Sequence, residues 1–198
     1  GKNIPIQSKL SFAAGILTGI LDALKAAAAV WVARLITGGS WLEGGMPLAE
    51  ALAGFFAVIG HVYSVFLMER GTDENGKTKY QMKGGAGGGP SVGAIFALWP
   101  PTFYSVVPLG LFVFFVIGYA SLTTLSFGFA GLVTLILRAS LLGGPWEHVT
   151  YSVLVFLLQL WALRPNLQRL IEGNERVISV SLHGRRRAKA ELQEQIQK

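Results

Sequence analysis

No cysteine occurs in the 198 residues, so disulfides and thiolate metal sites are excluded. Histidine is nearly as scarce, with three copies and no two at ligand spacing, and no metal site is expected. Charge is short as well. Asp, Glu, Lys and Arg make up 14% of the chain, against about 25% in a soluble domain. Apolar residues make up 52% and the mean hydropathy is +0.49. These values describe an integral membrane protein whose length suits a single domain. No secretory leader pattern is present, because the first apolar run is too long for one. The chain begins at Gly1 without methionine, which suggests a processed, tagged or truncated start.

What charge there is lies unevenly. The net charge is +6, and eight of the seventeen Lys and Arg residues fall from Arg164 onward, beside four acids. Basic residues that flank apolar runs set orientation and meet anionic headgroups, so no nucleic-acid partner is expected.

A bilayer core needs roughly 20 apolar residues in a helix. Candidate spans run from Leu10 to Ile36, Leu48 to Met68, Leu122 to Leu142 and Val149 to Leu163. Between the second and third lies a shorter pair. Val92 to Trp99 is too short to cross, Pro100-Pro101 breaks the helix, and Thr102 to Gly118 follows. The fold class predicted is an all-α integral membrane bundle of about six membrane segments, one short or broken. Residues 1–165 form the membrane domain and 166–198 a basic cytoplasmic tail. Gly15-x-x-x-Gly19 and Ala26–Ala29 offer small-residue surfaces for neighbouring helices. With residues 1–9 inside and alternation thereafter, the inner segments hold Lys2, Lys9, Arg70, Lys77, Lys79, Lys83 and the eight distal basic residues. The outer connections hold none, and an even number of crossings follows. Arg34 and Arg138, near the outer helix ends, are expected to snorkel.

On the inner face lies the stretch with the most distinctive chemistry, Met82-Lys83-Gly84-Gly85-Ala86-Gly87-Gly88-Gly89-Pro90-Ser91. Glycines let backbone N–H groups approach an anion closely, and a lysine adds a point charge. A phosphate or carboxylate held at the membrane surface is the ligand this composition suits. Upstream, Gly71 to Thr78 matches the GxxxxGK[ST] phosphate-loop pattern, but no strand precedes it and Asp73 and Glu74 would repel phosphate. A solvated hairpin-like loop is the better reading. Asp22 and Lys25, three apart on one helix face, are either a structural ion pair or functional charges at membrane depth. His61 is the lone histidine at the inner end of the second span. Arg164-Pro165-Asn166-Leu167-Gln168-Arg169 can grip phosphate or act as a positive-inside anchor.

The order of these pieces resembles a known family. Gly60-His61-Val62-Tyr63-Ser64-Val65-Phe66 followed by Lys83-Gly84-Gly85-Ala86-Gly87 is similar to the signature GHxxPVF…KGGKG of the bacterial acyl-phosphate–glycerol-3-phosphate acyltransferases, the PlsY-like membrane enzymes. Tyr119-Ala120-Ser121-Leu122-Thr123 looks like the family's YxSLxS turn, and Asp22-Ala23-Leu24-Lys25 like its DxxKG helix. Arg164-Pro165-Asn166-Leu167-Gln168-Arg169-Leu170 looks like the later part of its RHRxNIxRL motif.

The resemblance implies acyl transfer from acyl phosphate to the sn-1 hydroxyl of glycerol 3-phosphate, in phospholipid biosynthesis at the inner membrane, without a cofactor. It implies Lys83 and Asn166 as catalytic residues. Gly84, Gly85, Gly87, His61, Ser121, Arg164, Arg169 and Lys25 are implied to bind substrate. The chain departs from the pattern at named places. Ala86 stands where the motif has its second lysine, Ser64 at the usual proline, and Ala162-Leu163 at an arginine and histidine. The family's first motif, GSGNxGATNxxR, would precede Gly1. The alternative these departures raise is a non-catalytic membrane relative that binds lipid or an anion. A transporter half would show an inverted repeat, and none is visible.

Overall fold

A computed structural model describes residues 6–42, 44–64, 68–72, 78–82 and 84–197. Helix α1 spans Ile6–Ile36 and α2 spans Pro47–Val62. Strands β1, Met68–Thr72, and β2, Thr78–Met82, pair antiparallel with Arg70 opposite Tyr80. Helix α3, Gly88–Leu98, is followed by a 3-10 turn at Pro100–Thr102 and by α4, Phe103–Phe112, which continues as a π-helical turn, Val113–Ile117. Helix α5 spans Ala120–Leu142, α6 Trp146–Ala162, α7 Arg164–Ile171 and α8 Leu182–Gln197. The chain is an all-α membrane bundle with one small hairpin.

Among the described residues, Ala13–Ile36, Pro100–Ile117 and Ala120–Leu142 are long and apolar enough to cross a membrane. The proline pair interrupts the chain where the sequence predicts, because neither ring nitrogen can donate to a helix ladder. The second span is shorter than expected. It leaves the helix at Tyr63 rather than Met68, and Met68 opens β1. The phosphate-loop pattern accordingly lies on a hairpin, with Gly71 opposite Lys79 and Thr72 opposite Thr78. Its residues 73–77 lie outside the described residues.

The core is made of small side chains. Ala26, Val30, Val58, Ala94 and Ala97 are fully buried where α1, α2 and α3 meet. A Cβ at Gly93 would overlap the Ala23 carbonyl, so glycine sets the separation of α1 and α3. Gly19 meets α3 through its backbone, since a Cβ at Gly89 would lie 2.9 Å from its carbonyl oxygen, but the Cβ sides of Gly15 and Gly19 face open space. Nothing lies within 4 Å of where their Cβ atoms would be, and both line a cavity.

At the end of the bundle away from the glycine stretch, Arg34 turns inward instead of snorkelling. It is 2% exposed, and its guanidinium forks onto the Glu50 carboxylate at 2.9 Å (Nε–Oε1) and 2.6 Å (Nη2–Oε2). It also donates to the carbonyls of Ala97 and Trp41. Arg138 sits over the Trp99 ring and contacts His148 Nδ1 at 3.1 Å. A charge in an apolar surround needs such a partner, and Glu50 supplies it from the first turn of α2.

Candidate functional site

Helices α2 and α3 have 16 and 11 residues, about 24 and 17 Å at 1.5 Å per residue. Neither reaches as far as α1 or α5, so the glycine stretch between them is recessed into the bundle. Gly88 lies against Thr124, one turn inside the start of α5.

Close approach explains the glycines. A Cβ at Gly84 would overlap the carbonyl oxygens of His61 and Val62, and one at Gly85 would overlap His61 Nε2. Gly87 has φ +76°, a left-handed conformation that disfavours a side chain, and it opens α3. The first N–H groups of α3 lack partners within the helix, so its positive end faces the loop. Loop and helix start together make a cradle of the kind that suits an anion.

Behind the cradle stands a triad. Lys25 Nζ donates to Asp22 Oδ1 at 2.7 Å and approaches His61 Nδ1 at 3.0 Å, while Nδ1 lies 3.3 Å from Asp22 Oδ1. An ammonium has only donors. Taking the shorter contact, Nδ1 accepts from Lys25 and the ring proton sits on Nε2, which faces Gly85. Asp22 and Lys25 are thus an ion pair that also sets the orientation of His61.

The opposite wall comes from the start of α5 and from the α6–α7 junction. A cavity of about 760 Å³ is lined by Gly84, Gly85, Ala86, Ser121, Thr124, Leu163, Arg164 and Asn166, among others. Leu163 is the buried residue from which α7 starts. The Arg164 guanidinium lies 3.5 Å over the Trp161 ring. An apolar cavity of about 680 Å³, lined by Gly15, Gly19, Leu111, Phe114 and Phe127 among others, shares Ala120 and Thr124 with the first. A cavity of mixed lining, with Ser121, Thr124, Arg164, Asn166 and the glycine backbone as its polar groups, therefore adjoins a greasier one, an arrangement suited to an anionic head with a lipid tail.

The structure brings Gly84, Gly85, Ser121, Arg164 and Asn166 to one cavity. Gly87 is buried beneath it, and His61 and Lys25 stand behind the loop. Arg169 lines a neighbouring cavity of about 710 Å³ with Asn166 and Glu175. Lys83 lies outside the described residues.

One residue of the site escaped the sequence reading. Glu175, 5% exposed, accepts from Ser121 Oγ at 2.8 Å and from Asn166 Nδ2 at 3.4 Å, so it ties the two together. It arrives there because the segment after α7 folds back. Val177 bridges to Tyr119, and the Ile178 N–H donates to the Gly118 carbonyl at 2.7 Å. In the sequence, Glu175 is one acid in a polar stretch, and no spacing marks it.

The cradle yields a direct expectation. Gly85→Ala should push the loop off His61 and raise the KM for the anionic substrate by about tenfold or more, the equivalent of about 1.4 kcal/mol. Steady-state kinetics on reconstituted protein will check this, and an unchanged KM would count against the loop as the anion site.

Comparison with known proteins identifies the family and the fold. The sequence model of the family described as glycerol-3-phosphate acyltransferase matches residues 7–173. The chain is 31% identical over 176 residues to a glycerol-3-phosphate acyltransferase of Thermus thermophilus, covering 89% of this chain and 76% of that one. It is 32% identical over 177 residues to glycerol-3-phosphate acyltransferase 3 of Dehalococcoides mccartyi (strain CBDB1), covering 84% and 73%. Crystal structures of PlsY (YgiH), an integral membrane glycerol 3-phosphate acyltransferase, share the fold. Its glycerol 3-phosphate form superposes with a TM-score of 0.65 at 24% identity, over 84% of this chain and 72% of that one. Its lysophosphatidic acid form gives the same score over 86% and 76%.

Proposed function

The chain belongs to the glycerol-3-phosphate acyltransferase family, and from that premise we propose that it acylates glycerol 3-phosphate from an acyl phosphate in phospholipid biosynthesis. The observation that carries this reading is the pair of adjoining cavities that share Ala120 and Thr124, one edged by the glycine loop and the polar groups of Ser121, Arg164 and Asn166, the other apolar. The acyl chain occupies the apolar cavity and the phosphates lie over the loop. The substrate hydroxyl attacks the acyl carbonyl, the new ester C–O bond forms, and the bond from carbonyl carbon to phosphate oxygen breaks. Phosphate leaves with the electron pair, and the hydroxyl proton passes to phosphate or solvent.

Acyl phosphate is already activated, so positioning and charge stabilisation suffice for much of the acceleration. Lys83, Gly84, Gly85 and Gly87 hold the leaving phosphate. Asn166, with Nδ2 turned to Glu175, offers its carbonyl oxygen to the substrate hydroxyl. Arg164 and Arg169 add positive charge at the rim. The basic residues on this side support a cytoplasmic location for the active face and for the distal segment 166–198.

Membranes that carry the protein should form lysophosphatidic acid from acyl phosphate and glycerol 3-phosphate. Lys83→Ala should abolish product, and full activity in that variant would remove Lys83 from the mechanism. A second reading rests on the cavity lining itself. Ala86 and Leu163 place apolar groups where the family pattern has a lysine and a histidine. Binding of glycerol 3-phosphate without turnover, by protein confirmed in the membrane, would favour a non-catalytic relative.

A further inference from the structure

The family match ends at residue 173, and the chain continues into α8, which no part of the acyl-transfer reading uses. We propose that α8 is a surface helix that docks on anionic lipid headgroups of the bilayer holding the bundle. Three observations lead there.

The first is position. Gly118 and Tyr119 separate the candidate spans Pro100–Ile117 and Ala120–Leu142, so they sit at the membrane boundary. The start of α8 is fastened to them. A Cβ at Gly118 would overlap Ser181 Oγ, and the His183 ring lies 5.7 Å from that of Tyr119. Ser181 Oγ accepts from the Gly184 N–H at 2.9 Å. The helix therefore begins at headgroup level rather than somewhere in solution.

The second is the division of its faces. Gly184, Arg187 and Ala188 line a cavity shared with Glu175, Arg176 and Val177, so this face looks back at the folded segment. At 100° per residue, Leu182, Arg185, Arg186 and Lys189 lie on the opposite side, one turn apart. All four are exposed. The outward face thus carries one apolar anchor and three cations, with no acid among these four.

The third is charge complementarity. Basic residues beside a membrane are attracted to anionic headgroups over about a Debye length, close to 10 Å at 0.1 M salt. Three on one turn-and-a-half of helix, already held at the boundary, need no further ordering to reach them. Lipid docking by α8 is independent of the enzymatic reading.

The absence of cysteine makes the test clean. Gln193 is exposed on the same face as Lys189, so Gln193→Cys accepts a single environment-sensitive fluorophore. The labelled full chain is reconstituted in phosphatidylcholine vesicles with or without phosphatidylglycerol, each doped with headgroup-quencher lipid. Strong quenching is expected only with phosphatidylglycerol. It should fall to the neutral-vesicle level at 1 M salt and in the R185A/R186A/K189A variant. Equal quenching in both vesicle types would overturn the proposal. So would a label that stays in water in both, the outcome expected if α8 instead meets a soluble partner.

Discussion

Replacing Glu50 by alanine is expected to destabilise the protein by about 3–5 kcal/mol, the cost of leaving one partner of a buried ion pair without the other. Arg34 is 2% exposed and Glu50 3%, so neither charge can turn to water. The carboxylate takes both arms of the guanidinium, and the Ala97 carbonyl accepts from Nη2 at 2.7 Å. Arg34 thereby ties α1 to α2 and α3 at one point. Removing Glu50 also takes the nearest carboxylate from His148, whose Nε2 lies 3.5 Å from Oε2. Thermal unfolding of detergent-solubilised protein, followed by fluorescence-detected size exclusion, checks the effect. Glu50→Gln keeps the shape and part of the hydrogen bonding and should lie between wild type and alanine. Arg34→Met with Glu50→Leu removes both charges and should recover much of the loss. A Glu50→Ala protein as stable as wild type would show that Arg34 finds other partners at no cost.

How far the sequence carried the fold follows from which forces act locally. Long apolar runs, the proline pair and the glycine pauses are local signals, and they located α1, α5, α6 and the break before α4. The end of α2 is set by something distant. The chain leaves the helix at Tyr63, where Gly84 and Gly85 pack against its last carbonyls and the His61 ring, and hydropathy alone cannot show that contact. The same holds for Arg34. Helix-end position suggests snorkelling, yet a carboxylate sixteen residues later makes the inward rotamer the better one. At the site, motif order brought Gly84, Gly85, Ser121, Arg164 and Asn166 into one list, and they meet at one cavity. Gly15 and Gly19 fit a helix-contact motif by spacing, yet only the Gly19 carbonyl meets α3, at Gly89, and the Cβ sides of both line the apolar cavity, because the pattern says nothing of what stands opposite. Glu175 was invisible for a related reason. Its role depends on the fold-back that pairs Val177 with Tyr119, a contact between residues 58 positions apart.

That fold-back makes Glu175 the other variant with a large expected effect. Its carboxylate is the common acceptor for Ser121 Oγ and Asn166 Nδ2, so it fixes the amide plane that presents Asn166 to the cavity. In Glu175→Ala, Asn166 can rotate by an ångström or more. A displacement of that size at a reacting group costs about 10²-fold in rate. The loss should appear mainly in kcat, because the glycine cradle proposed to hold phosphate is built from other elements. Glu175→Gln retains one acceptor oxygen and should recover part of the rate. A purely structural role would instead lower the amount of folded protein and leave kcat per folded molecule unchanged, so kcat must be normalised to protein recovered by size exclusion. A double-mutant cycle completes the argument. If Glu175 acts through Asn166, Asn166→Ala should lose little more when Glu175→Ala is added, since residues sharing one hydrogen-bond network are not additive. Additive losses, or a Glu175→Ala enzyme with kcat within twofold of wild type, would separate Glu175 from the chemistry.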